Sequence, residues 1–145
     1  MELSAQDKDN VCFACGRDNP IGLKLVFRME GERAVAEFTP GQWHQSWNGV
    51  FHGGLMATLL DEALGYVLYF RGIKALTAKF EMRLRKVVNI GQTVRVWAEI
   101  TRHTRKVVDC RMVAESEDGA VVAEATATTW ILRRDDPPSA VEGAG

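Results

Sequence analysis

The amino-acid sequence predicts an α+β fold, an antiparallel sheet packed against one long apolar helix. Three observations predict it. Residues 53–70 contain no proline and carry apolar side chains round most of a helical circumference, not along one stripe, so the helix they form belongs inside the molecule. Four segments after residue 72 alternate apolar and polar residues, the habit of strands with one face buried and one wet. One hairpin precedes the helix, so the order is two strands, a helix, then four strands. At 145 residues the chain is expected to form a single domain.

Taken in order, the first eleven residues are polar and expected to be flexible. In "CFACGRDNPIGLKL", Asn19-Pro20 and Gly22 mark a turn. Residues 23–29 alternate, with Leu23, Leu25, Phe27 and Met29 opposing Lys24 and Arg28; Glu30-Gly31-Glu32 reverses the chain, and residues 33–38 return as the second strand. The loop "TPGQWHQSWNGVFHGG" holds Trp43 and Trp47, which either pack the loop onto the domain or line a ligand pocket. The helix is expected to stop at Arg71-Gly72, where glycine takes a left-handed position. Along it, Gly54, Ala57, Thr58, Asp61 and Gly65 form a strip of small residues around one carboxylate. Residues 76–85 set Ala78, Phe80, Met82 and Leu84 against Lys79, Glu81, Arg83 and Arg85. After a turn at 89–91, residues 93–101 point Val94, Val96, Ala98 and Ile100 inward, and strands at 107–114 and 121–132 flank "SEDG". The domain is expected to span residues 12–133, with a disordered tail at 134–145. A sheet of this length covers one face of the helix, and a second copy of the chain is the natural cover for the rest.

Net charge is −1, but residues 74–111 hold ten Lys/Arg and three Asp/Glu, a balance of +7 that leaves −8 elsewhere. Such a stretch suits a partner with phosphates or carboxylates, or is the solvated face of strands. Trp97 is the one aromatic residue on those polar faces, so no nucleic-acid partner is expected. No apolar run approaches the ~20 residues of a membrane span, and MELSAQDKDN lacks the pattern of a secretory signal. A cytoplasmic location with reduced thiols is the expectation. Cys12 and Cys15 form a C-x-x-C, with Cys110 far off; no second pair at zinc-like spacing follows, so no metal is expected. Asp61 and Glu62 are the only fully charged residues between His52 and Phe70, and burying an unpaired acid is costly enough to demand a partner or a function.

His52-Gly53-Gly54 at the helix start, an acid nine residues after His52, the strand order, and the opening C-F-A-C-G-x-x-N-P-x-G-L at 12–23 together resemble the hotdog-fold thioesterases, in particular their phenylacetate-pathway (PaaI-like) branch. The resemblance covers residues 12–132. It implies a curved antiparallel sheet wrapped around one long central helix, homodimers with the two helices at the interface, and often a dimer of dimers. It also implies hydrolysis of an acyl-coenzyme A thioester in active sites shared between chains, with coenzyme A as part of the substrate and no separate cofactor.

Matched to the family motif, Gly53 is the amide donor to the thioester oxygen and Gly54 permits close approach. A donor of this kind is worth ~3–4 kcal/mol in the transition state. The acid is Asp61, acting as general base for water or as nucleophile; Glu62 lies about 100° round the helix from it. His52 either orients the loop and touches substrate or is a hydrogen-bonded structural residue. Where family members carry an asparagine six residues before this histidine, the chain has Ser46, with Asn48 two residues later; either is a candidate to hold water or the carbonyl. Trp47 and Thr58 are further candidate substrate contacts, and Lys79, Arg83, Arg85, Arg102, Arg105 and Lys106 are candidates for the coenzyme A phosphates. The tryptophan loop suits a medium-chain or aromatic acyl group. A hotdog hydratase or dehydratase built on His52, and a non-catalytic acyl-CoA sensor, are the alternatives; the paired glycines and the presence of both Gly53 and Asp61 favour the thioesterase.

Overall fold

The computed structural model describes residues 11–137. Residues 1–10 and 138–145, which hold most of the segments expected to be flexible, lie outside the described residues. The elements are β1 (Arg28–Glu30), β2 (Arg33–Phe38), α1 (Gly53–Tyr69), β3 (Ile73–Leu84), β4 (Val94–His103), β5 (Val107–Ser116) and β6 (Val121–Arg134). The strands form one antiparallel sheet in the order β1-β2-β4-β5-β6-β3, and α1 packs against β2 to β6. This is the hotdog arrangement.

The helix forms where the pattern requires. His52 caps its start, Phe70 ends it, and Gly72 adopts φ +70, with the Asp135 amide bonding its carbonyl at 2.6 Å. Leu59, Leu60, Leu64 and Val67 are fully buried against Val94, Val96, Val108 and Met112 of the sheet, each contributing roughly 1.5–3 kcal/mol. On β6, Ala123, Ala125 and Ala127 face inward and let the helix approach closely. β6 runs to Arg134, so that residue belongs to the sheet and not to the tail; its guanidinium meets His103 Nε2 at 2.9 Å.

Three local readings of the sequence change. First, residues 23–27 are not a strand although Leu23, Leu25 and Phe27 are buried as the alternation requires. The amides of Leu23 and Leu25 donate instead to the carbonyls of Phe13 and Ala14, at 2.8 and 2.9 Å. Lys24 between them is left-handed (φ +57), a costly conformation for a side-chain-bearing residue. Its ammonium meets the carbonyls of Gly16, Arg17 and Asn19, which offsets that cost.

Second, Ala78 does not share a face with Phe80, Met82 and Leu84. The β3–β6 register slips between Thr77 and Lys79, leaving Ala78 as the extra residue of a bulge, exposed. Phe80 and Met82 pack half-buried on the core, while Leu84 is exposed because β3 ends the sheet.

Third, Trp97 is not on a wet face: it is 4% exposed. The β2–β4–β5 register sets Val35, Trp97 and Val113 side by side on the outer face of the sheet. The Arg33 guanidinium lies 3.6 Å above the ring centroid, Arg111 stands at 5.4 Å, and Nε1 donates to Glu115.

Candidate functional site

The chain enters α1 through a tightly bonded loop. A single 3-10 turn, Gln42–His44, is followed by a bridge between Gln45 and Phe51 that brings Ser46 N–H to the Val50 carbonyl and Val50 N–H to the Trp47 carbonyl, both at 2.9 Å. Asn48 and Gly49 (φ +82) form the tip. Phe51 and Ile90 amides tie this hairpin to the segment before β4, bonding the Val88 and Gly49 carbonyls at 2.8 and 2.9 Å. Ser46 and Asn48 are exposed beside the helix entry. Trp43 and Trp47 are 86% and 83% exposed, so packing of the loop onto its own domain does not account for them.

At the helix start the three residues of the motif divide the available groups. His52 is the N-cap, and its Nδ1 accepts the Gly54 amide at 2.9 Å. An accepting Nδ1 puts the ring proton on Nε2, so the capping imidazole is neutral and presents Nε2–H to solvent. Gly53 holds the first helical position, where an amide has no acceptor within its own helix, and it has no other partner among the described residues. The two glycines are required for different reasons. A Cβ at 54 would sit 2.9–3.0 Å from the His52 ring, whereas one at 53 would meet the Leu84 side-chain tip at 3.0 Å. Leu84 therefore packs beside the Gly53 Cα, at the positive end of the α1 dipole. Nothing in the sequence beyond the alternation of its strand marked Leu84 as a site residue.

Asp61 and Thr58 lie on the small-residue strip, where Gly54 and Asp61 are exposed and Ala57, Thr58 and Gly65 are half-buried. Thr58 donates its hydroxyl back to the Gly54 carbonyl at 3.1 Å, and Asp61 is exposed. Eight residues separate Asp61 from Gly53, about 12 Å along the axis. A carboxylate at that distance does not reach a carbonyl held by the Gly53 amide of its own chain. Glu62 points the other way: it is 7% exposed and faces the turn at 12–16, where Cys12 Sγ contacts its Oε1 at 3.8 Å. Burial there pushes the Cys15 thiol well above its usual range, against a hydrogen bond from Tyr66 that works the other way.

The six basic candidates do not form one patch. Arg83 and Arg85 flank Leu84 at the helix N-terminal end of the sheet, while Arg102, Arg105 and Lys106 belong to the β4–β5 hairpin at the opposite end. Lys79 pairs with Glu81 at 3.0 Å, Arg85 with Glu124 at 2.8 Å and Arg102 with Asp109 at 3.8 Å. Arg83 is exposed close to the helix start.

Comparison with known proteins sets this geometry in context. The thioesterase superfamily model matches residues 48–123, which include the loop tip, the helix start, Asp61 and Leu84. The acyl-coenzyme A thioesterase THEM5 of Mus musculus is 21% identical over 98 residues, 68% of this chain; the chain spans 40% of that relative's length. Among solved structures, a mutant of the phenylacetic acid degradation protein PaaI from Thermus thermophilus is 26% identical, with a TM-score of 0.70 over 76% of this chain and 95% of the other. A hypothetical thioesterase from Streptococcus pneumoniae, solved with coenzyme A, shares the fold at 18% identity, with a TM-score of 0.73 over 77% of this chain and 88% of the other.

Proposed function

Because the chain belongs to the thioesterase superfamily, we propose that it hydrolyses an acyl-coenzyme A thioester at the N-terminus of α1. The observation that carries this reading is the division between the two glycine amides. That of Gly54 is consumed by the His52 cap, and that of Gly53 is left for a ligand. A thioester oxygen placed on the Gly53 amide gains charge as the carbonyl is attacked, and the helix dipole and amide stabilise that charge by ~3–4 kcal/mol. Gly53 lacks the Cβ that would occupy the approach beside Leu84.

Attack needs a carboxylate, and Asp61 of the same chain is about 12 Å away along the helix. The reading therefore assigns that role to Asp61 of the partner subunit in a homodimer. As general base it takes a proton from water while the hydroxyl oxygen bonds the acyl carbon; collapse of the tetrahedral intermediate then expels the coenzyme A thiolate, which takes up the proton. As nucleophile it attacks the acyl carbon and expels the coenzyme A thiolate, and water then opens the mixed anhydride to the free acid and the regenerated carboxylate. Two features support the dimer. β3 is a twelve-residue edge strand carrying exposed Leu76 and Leu84, an edge that proteins normally cover. The small-residue strip of α1 holds the two exposed residues of the helix, Gly54 and Asp61, and its small side chains admit close approach of a second helix. Exposed Trp43 and Trp47 beside the helix entry suit an aromatic or medium-chain acyl group, and Arg83, exposed and next in sequence to Leu84, is a candidate cation for a phosphate.

The test is release of free coenzyme A from short, medium, long-chain and aromatic acyl-CoAs by the wild type and by Asp61→Ala. Turnover that falls by ~100-fold or more in the variant supports the reading, in line with loss of a general base. Turnover that survives the substitution removes Asp61 from the chemistry. Binding of acyl-CoA without hydrolysis makes the protein a sensor.

A further inference from the structure

We propose that Cys12, Cys15 and Glu62 form a structural Zn²⁺ site that clamps the N-terminal turn to the central helix. The site stands apart from the thioesterase reading: Glu62 lies about 100° round α1 from Asp61.

Four observations carry it. The two sulfurs and a Glu62 carboxylate oxygen lie within 4.8 Å of one another. Ligands of a tetrahedral zinc, with bonds of about 2.0–2.3 Å, stand roughly 3.5 Å apart, so the three donors need to close in by about 1 Å. The turn that presents the sulfurs is built before any ion arrives: Gly16 N–H bonds the Cys12 carbonyl at 2.8 Å, and the Leu23 and Leu25 amides lock onto Phe13 and Ala14. The Cys15 amide lies 3.4 Å from Cys12 Sγ, positioned to donate to a thiolate and hold its orientation. The close fit also explains Gly22, where a Cβ would press within 2.8 Å of the Phe13 carbonyl, inside the C-x-x-C loop.

The donor set selects the metal. Thiolates exclude calcium and magnesium, which take oxygen ligands, and an iron–sulfur cluster needs four cysteines. Two sulfurs with a carboxylate suit Zn²⁺, whose fourth position falls to water or to the Tyr66 hydroxyl, already bonded to the Cys15 sulfur. Binding exchanges two thiol protons, released to solvent, for one dication, so the charge of the site does not change. The expectation of no metal rested on the missing second cysteine pair; the fold brings the third ligand from fifty residues away.

The experiment titrates reduced, chelator-treated full-length protein with Co²⁺, then displaces it with Zn²⁺. One Co²⁺ per chain with sulfur-to-cobalt charge-transfer absorption, removed by Zn²⁺, is expected. The bands should vanish in Cys12→Ser and Cys15→Ser, weaken with about tenfold or greater loss of affinity in Glu62→Gln, and persist in Cys110→Ser. Zn²⁺ should also protect Cys12 of the wild type from alkylation, read by mass spectrometry, which keeps the test independent of whether the variants fold; Cys15, whose thiol is already pushed up by burial, is not used for this readout. No charge-transfer bands with Co²⁺ in excess, bands that survive loss of both cysteines, or no protection by Zn²⁺ would each overturn the proposal.

Discussion

At the scale of single residues, the helix entry works by allocation of two neighbouring amides. Because His52 Nδ1 holds the Gly54 amide, His52→Ala should cost about 1 kcal/mol of stability, whereas His52→Asn should retain the cap; chemical denaturation measures both. If turnover follows stability across the pair, the imidazole is a positioning residue, and a loss of turnover confined to a stable His52→Asn would put Nε2 on the substrate. Gly53→Ala separates chemistry from folding in the same way. The added methyl meets only the flexible tip of Leu84, and alanine suits a helix, so stability should hold or rise by about 0.5–1 kcal/mol. Alanine keeps the backbone amide, so the substitution tests the approach to it: kcat/KM should drop by about tenfold or more if substrate passes where the methyl now stands, and unchanged kinetics would show that the missing Cβ is not needed for that approach. The residues of this site were legible because their types and spacing lie within one stretch of chain. Leu84 was not, since its place beside Gly53 depends on where a strand from thirty residues later meets the helix.

At the scale of elements, alternation located every strand after the helix to within a few residues, because burial of one face imposes a period of two. It failed where a strand takes instructions from elsewhere. The bulge at Ala78 is set by the β6 register, and residues 23–27 bond the cysteine turn in place of a neighbouring strand. Trp97 is dry because Val35 and Val113 are its cross-strand neighbours and Arg33 covers its ring. Each of those neighbours is ordinary in isolation. Trp97→Ala should therefore destabilise the domain by about 3 kcal/mol or more, as for a buried core aromatic and not a surface one. A change below about 0.5 kcal/mol in thermal or chemical unfolding would return the residue to the solvated face. Cys110 gives a parallel check within β5: burial pushes its thiol up to about 12, so it should resist alkylation at neutral pH until the domain unfolds.

At the scale of the whole molecule, the sheet and loops of one chain already bury most of the apolar residues of α1, and the proposed homodimer would cover the β3 edge and the small-residue strip of the helix. Leu76→Lys, which puts a charge on that edge strand, should give a folded chain that runs as a monomer in light scattering and has lost turnover. An active monomer would refute shared sites. Mixing supplies a sharper test. Asp61→Ala chains exchanged in equal amounts with Gly53→Ala chains should gain about a quarter of wild-type activity above the residual activity of the two variants, because half the dimers are mixed and each has one intact site. No recovery after demonstrated exchange would place donor and acid on the same chain.

The distribution of the four tryptophans has an optical consequence. Trp43, Trp47 and Trp130 are exposed, and Trp97 alone is enclosed. The native protein should emit mostly at the red, water-exposed end of the indole range, with acrylamide quenching three fluorophores and sparing one. Occupation of the helix entry would shift Trp43 and Trp47 to the blue, while loss of the fold would expose Trp97. Ligand capture and unfolding thus move the emission in opposite directions, and a single unlabelled sample reports both.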